Sequence, residues 1–250
     1  MSVTTTLLLA ITAAFAGTVD AIAGGGGLIT VPALRLAGLP GHLALGTNKG
    51  QSMWGALAAT IAFWRADRID RKQALFAFPL ALAGSFAGAR LQLLVPNKTL
   101  EPVVIAMLIG AAVLLVIKKP TRDADAPAPR WWVAALLALV IGAYDGFFGP
   151  GTGTFLIVGF VALCGRSLVH ASADAKVVNL ASNLAAVVTF AHAGTVEWAV
   201  ALPMAVGQLA GGITGTHLAL KGGARIVRIM VLVVSSALIV KLAYDLVAAR

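Results

Sequence analysis

The chain has 250 residues, 59% of them hydrophobic and 12% charged, with a net charge of +9 at pH 7 and one cysteine. Water-soluble domains carry about 25% charged residues, so a soluble globule is excluded and the composition is that of a polytopic membrane protein. The basic residues cluster at the ends of apolar runs, which points to topology and lipid headgroups; a basic face interleaved with aromatics, as nucleic acid needs, is absent. Cys164 alone supports neither an internal disulfide nor a Cys-x-x-Cys metal or redox motif.

The first apolar run predicts a helix from about Val3 to Ala23. It resembles a secretory leader in length, but no Lys or Arg precedes it and it runs on into a helix break, so a retained membrane helix is expected. The break is Gly24-Gly25-Gly26-Gly27. Each glycine inside a helix costs about 1 kcal/mol relative to Ala, so helical geometry must fail there. Leu28 to Leu36 predicts a short helix that tolerates Pro32 near its first turn. The turn Gly38-Leu-Pro-Gly41 follows, then a span over Leu45 to Trp64 and the charged loop Arg65–Lys72. Ala74 to Leu94 and Leu100 to Ile117 predict two further spans joined by a turn at Val95–Lys98. Lys118 to Arg130 holds three prolines beside mixed charge and reads as a linker. Beyond it, Trp131-Trp132 marks an interfacial belt. The second half predicts spans over Trp131–Phe148, a short segment Phe155–Cys164, then Val177–Ala191, Ala199–Leu220 and Ile226–Val247.

The halves repeat. Asp20 followed by Gly24–Gly27 returns as Asp145 followed by Gly149-Pro-Gly151-Thr-Gly153, 125 residues later. At a spacing of 127, Lys49 matches Lys176, Phe63 matches Phe190, Asp70 matches Glu197, Arg90 matches His217, and Gly84-x-x-x-Gly88 matches Gly211-x-x-x-Gly215. A shared spacing over several spans is the signature of internal duplication. The basic loops trade places: Arg65–Lys72 is basic while its counterpart His192–Glu197 is not, and Lys221–Arg225 is basic where Val95–Lys98 lies in the first half. By the positive-inside rule the halves are inverted in the membrane, with both termini extracytoplasmic. The expected fold is therefore an all-α polytopic bundle. It has a first repeat over 1–117, a cytoplasmic linker over 118–130 and a second repeat over 131–250. Each half would pair a glycine-broken first helix, folded back as a re-entrant hairpin, with three spans.

The candidate site residues fall at the breaks. Asp20 and Asp145 each lie about a turn before one, at membrane depth. Such a carboxylate either caps backbone N–H groups freed by the break or carries a proton or cation coupled to substrate movement. Lys49 and Lys176 are read as opening the helices after the short segments. There they either reach to headgroups or, with Asn48, Asn179 and Asn183, line a polar cavity that attracts an anion. The breaks themselves, at Gly24, Gly25, Gly26, Gly27 and at Gly149, Gly151, Gly153, offer N–H groups at half-helix N-termini, where the helix dipole favours negative charge. Arg90 and His217 are read as interfacial anchors. His42, His170 and His192 have no metal-ligand spacing, so neither a metal nor a cofactor is expected.

Gly24-Gly-Gly-Gly-Leu-Ile-Thr-Val-Pro32 followed by Ala44-Leu-Gly-Thr-Asn-Lys49 resembles the sulfite exporter TauE/SafE family of membrane transporters. The degenerate second copy, Gly149–Gly153 then Ala171–Lys176, is similar, and the resemblance extends over nearly the whole chain. It implies a transporter exporting a small anion such as sulfite, an organosulfonate or a small carboxylate. The chain has no phosphate-binding loop, so transport would be secondary and driven by a coupled proton or cation. An intramembrane enzyme lacks a nucleophile paired with a base. A scaffold subunit would not call for two matched breaks with carboxylates. The protein is placed in the cell membrane as a multi-pass chain; self-association is left open.

Overall fold

A computed structural model of the chain describes residues 1–96 and 131–248, with side chains up to Val234. The expected span Leu100–Ile117 and the linker 118–130 lie outside the described residues. Within them the protein is all helical: α1 (Val3–Ala23), α2 (Gly27–Leu36), α3 (Gly41–Arg65), α4 (Arg71–Leu94), α5 (Trp131–Phe147), α6 (Thr152–Cys164), α7 (Leu168–His192) and α8 (Trp198–Ala248). By length and composition, Val3–Ala23 and Arg71–Leu94 can each cross a membrane. The rest are shorter, or carry polar groups in their interior.

Local chemistry sets the ends. Ser2 caps α1 by accepting from the Thr5 N–H at 3.1 Å, and Asp70 caps α4 through the Lys72 and Gln73 N–H groups. α2 and α6 have 10 and 13 residues. At 1.5 Å per residue they are about 15 and 20 Å long, half-helices rather than spans. α3 and α7 begin well before the expected Leu45 and Val177. Their first two turns interrupt apolar residues with Gly, Ala and polar ones, and from Ala44 and Ala171 onward they are buried among neighbours and need no apolar coat. Lys49 and Lys176 consequently lie about two turns inside these helices instead of opening them. α8 joins the two expected spans Ala199–Leu220 and Ile226–Val247. Gly223, at φ 56° and ψ −152°, breaks the helical geometry within the basic turn Lys221–Arg225.

Glycines set the closest packing. A Cβ on Gly84 or Gly88 of α4 would overlap the carbonyl oxygens of Leu139 and Ala143 in α5. One on Gly211 or Gly215 of α8 would overlap those of Ala14 and Thr18 in α1. Small residues here let backbones touch, which is how apolar helices gain van der Waals contact without a hydrophobic drive. The contacts advance together along both chains, so α4 runs parallel to α5, and α8 parallel to α1. The helix ends answer one another in the same way. The Glu197 N–H at the start of α8 donates to Thr47 Oγ1 of α3 at 2.9 Å, and the Asp70 N–H before α4 donates to Asp174 Oδ1 of α7 at 2.9 Å.

The outside is apolar: Leu7, Leu8, Ile11 and Phe15 on α1, Phe86 and Leu91 on α4, and Val206 and Ile213 on α8 are exposed. The interior joins an alanine-rich core around Phe63 and Phe160 to a cluster of ionised groups. Charges inside and hydrocarbon outside is the arrangement a lipid solvent demands.

Candidate functional site

The two breaks meet. Gly24 ends α1 with φ 73° and ψ 166°, a conformation that an L side chain rarely adopts. Any Cβ there would overlap the Gly153 backbone at the start of α6. The Thr154 hydroxyl donates to the Ala23 carbonyl at 3.0 Å, and the Ser172 hydroxyl of α7 donates to the Ile22 carbonyl at 2.9 Å. These bonds take up carbonyls that the broken end of α1 leaves without helical partners. The N-termini of α2 and α6 both point into this crossing, bringing two positive dipole ends together.

Two ion pairs flank the crossing, each joining one half of the chain to the other. Lys176 Nζ of α7 lies 2.9 Å from Asp20 Oδ2 of α1. Lys49 Nζ of α3 lies 2.6 Å from Asp145 Oδ1 of α5. The ammonium groups lie beside the second break, Lys49 at Gly149 of the α5–α6 loop and Lys176 at Gly153 in the first turn of α6. Neither lysine reaches a headgroup region, for Lys176 is fully buried and Lys49 nearly so.

Each carboxylate also serves its own break. The Gly26 N–H donates to Asp20 Oδ1 at 3.1 Å, and the Asn179 amide lies 3.4 Å from Oδ2. The Thr152 hydroxyl donates to Asp145 Oδ1 at 2.7 Å, and the Ser182 hydroxyl makes a short bond to Oδ2. Asp20 thus accepts from a backbone N–H at its break, whereas Asp145 accepts from two hydroxyls and an ammonium. Neutralised in pairs and fed by hydroxyl and amide donors, four charges are held where an isolated one would be very costly.

The remaining expected residues gather nearby in two amide groups. Asn183 donates to Asn179 Oδ1 at 2.7 Å on one face of α7. Asn48 Oδ1 accepts from the Gln51 amide at 2.9 Å and lies 2.5 Å from the Thr30 hydroxyl of α2. Asn48 also approaches Gly27, which packs against Pro150. Gly25 faces Val234 beyond the α8 break, and Gly151 supplies the left-handed N-cap of α6 at φ 87°. Arg90 contacts the Phe86 ring at the far end of α4 and takes no part in this cluster. Thr30, Thr152 and Ser182 escaped the sequence reading. Thr30 and Thr152 each sit within a turn of a break, a signal that could have marked them. Ser182 carries none, since only the fold brings it to Asp145.

A helical chain with an apolar exterior, two crossing half-helix ends and buried ion pairs between its halves has the construction of a membrane transporter. The model of the sulfite exporter TauE/SafE family matches residues 9–242. The chain is 38% identical over 239 residues to the probable membrane transporter protein ORF9 of a Sinorhizobium species, covering 95% of this chain and 92% of that one. It is 37% identical over 235 residues to the probable membrane transporter protein YfcA of Escherichia coli K12, covering 93% and 87%. A probable membrane transporter protein of Haemophilus influenzae is 37% identical over 231 residues, covering 91% and 90%. No solved structure matches. The chain belongs to the sulfite exporter TauE/SafE family of membrane transporters.

Proposed function

We propose that the protein is a secondary transporter that exports a small anion, in the class of sulfite, organosulfonates and small carboxylates, by alternating access around the crossing of its two broken helices. The observation that carries this reading is the reciprocal pairing of Asp20 with Lys176 and of Lys49 with Asp145 where two half-helix N-termini converge. A desolvated anion needs positive potential and several donors. Here the lysines supply the potential, and the break N–H groups and the amides of Asn48, Asn179 and Asn183 supply donors, without burying one cation per donor.

The two halves, 1–117 and 131–250 about a cytoplasmic linker, are inverted repeats that rock about this site. Support comes from the parallel α1–α8 and α4–α5 contacts and from the exchanged end-bonds of Thr47 with Glu197 and of Asp174 with Asp70. Both termini then lie outside, and the coupling ion is a proton or another cation. Efflux of sulfite and of methanesulfonate from proteoliposomes holding the purified protein tests the function. Saturable efflux above that of protein-free vesicles, lost in Lys176→Gln, is expected. Efflux equal to the protein-free rate for every anion of the class would overturn it.

A further inference from the structure

The two ion pairs match in sequence but not in setting. Asp145 is 2% exposed and Lys49 3%, and the carboxylate is held by the ammonium, Thr152 and Ser182 together. Asp20 is 20% exposed, while its partner Lys176 is fully enclosed. Its bonds are one to the Gly26 N–H at 3.1 Å, one to Lys176 and a long one from Asn179. With part of its side chain accessible, Asp20 can meet a proton without the fold being dismantled. Reaching Asp145 means opening a sealed network.

The groups around Asp20 restrict what can titrate it. Lys176 from α7 is the one charged side chain bonded to it among the described residues. Lys49, from α3, is committed to Asp145 of α5. α6 has no charged side chain, and α2 has Arg35 only in its last turn. α8 presents Gly211 and Gly215 to α1, and its next titratable group, His217, is exposed.

We propose that Asp20 is the proton-exchanging carboxylate and Lys176 the anion-receiving ammonium, and that Asp145–Lys49 is a strut that stays paired throughout the cycle. The assignment rests on the anion-transport reading above and narrows its anion-binding cation to Lys176. In the empty site Asp20 and Lys176 sum to zero charge. A proton from water bonds to Asp20 Oδ2, the contact with Lys176 Nζ is given up, and a monovalent anion takes the carboxylate's place. The loaded site, with neutral acid, ammonium and anion, again sums to zero. One proton therefore travels with each monovalent anion, in the same direction, so export runs down the anion's own gradient and is not driven by an inward proton gradient. The transported complex is electroneutral, so no uncompensated charge crosses the low-dielectric interior. Gly26, released by Asp20, leaves its N–H free for the anion at the N-terminus of α2.

Two measurements on the purified full chain decide this. The first is methanesulfonate affinity against pH, the probe being ionised throughout. In the wild type it should rise about tenfold for each pH unit of acidification while the empty protein holds Asp20 ionised, the slope that uptake of one proton per anion requires. Asp20→Asn should show a flat profile. Thr152→Val, which loosens Asp145 without removing it, should keep the slope. A slope that survives in Asp20→Asn, or that vanishes in Thr152→Val with Asp20 intact, overturns the assignment. The second is the infrared carboxylic-acid C=O signal that appears on acidification, read without any anion; ten Asp and Glu side chains contribute to it, so each variant's spectrum is subtracted from the wild type's. A band in the difference for Asp20→Asn and none for Thr152→Val support the assignment, and no band in the difference for Asp20→Asn refutes it. If methanesulfonate, sulfite and lactate all fail to bind at any pH, the transport reading fails on that result alone, and the infrared arm still decides whether Asp20 exchanges the proton.

Discussion

At the scale of single residues, a buried pair is fragile to the loss of one partner. Removing either Lys49 or Asp145 leaves an uncompensated charge in a site that is almost fully enclosed. Asp145→Asn and Lys49→Gln should each destabilise the protein by about 3–5 kcal/mol, with the double variant closer to wild type than either single one. Denaturant unfolding in detergent micelles measures this. Equal stability of all four proteins would mean the pair is not formed. The sequence identified all four charged residues and their spacing, but not their partners. The lysines were expected to line an anion-attracting cavity and the aspartates to cap the breaks or carry a coupled charge, not to pair with one another; the pairs join residues 96 and 156 positions apart. A regular spacing points to duplication. It does not report which copy's side chain a given residue meets, because that depends on how the copies interleave.

At the scale of elements, the two ends of the bundle are closed by equivalent bonds of unequal chemistry. Thr47 accepts from Glu197 through a neutral hydroxyl, whereas Asp174 accepts from Asp70 as a carboxylate. Arg166 completes that second end, 2.8 Å from Asp174 and 3.4 Å from Asp70. Arg166→Gln leaves the buried Asp174 carboxylate without its cation and should cost about 3–5 kcal/mol. Thr47→Val removes one hydrogen bond, about 1 kcal/mol. Thermal unfolding of the two variants side by side checks the ranking, and a larger loss for Thr47→Val would contradict it. A Cβ at Gly211 meets the Ala14 carbonyl, so Gly211→Ala should cost about 1–3 kcal/mol through overpacking, read in the same experiment. The elements themselves were largely legible. α1 has the expected bounds, since an unbroken apolar run stops at four glycines. α3 and α7 were cut short, because their first two turns, buried by protein from Ala44 and Ala171 onward, interrupt the apolar signal of a span with Gly, Ala and polar residues.

At the scale of the whole molecule, the parallel α1–α8 and α4–α5 contacts and the swapped basic loops favour a single inverted topology. Ala193, after α7, would then lie outside, and Lys72 and Lys221 inside. In a Cys164→Ser background, Ala193→Cys should react with an impermeant thiol reagent added to intact cells, and Lys72→Cys and Lys221→Cys should not. Labelling of the Lys221 position from outside would contradict inversion. The central claim is that the crossing of the broken helices is one site, reached alternately from the two sides of the membrane. Asn179 lies beside Asp20 in that crossing. Reactivity of Asn179→Cys in the same background, with reagent added to either face of oriented proteoliposomes, tests the claim most directly. The account predicts modification from each face, slowed from both by saturating anion. Modification from one face only, unaffected by any anion of the class, would contradict it.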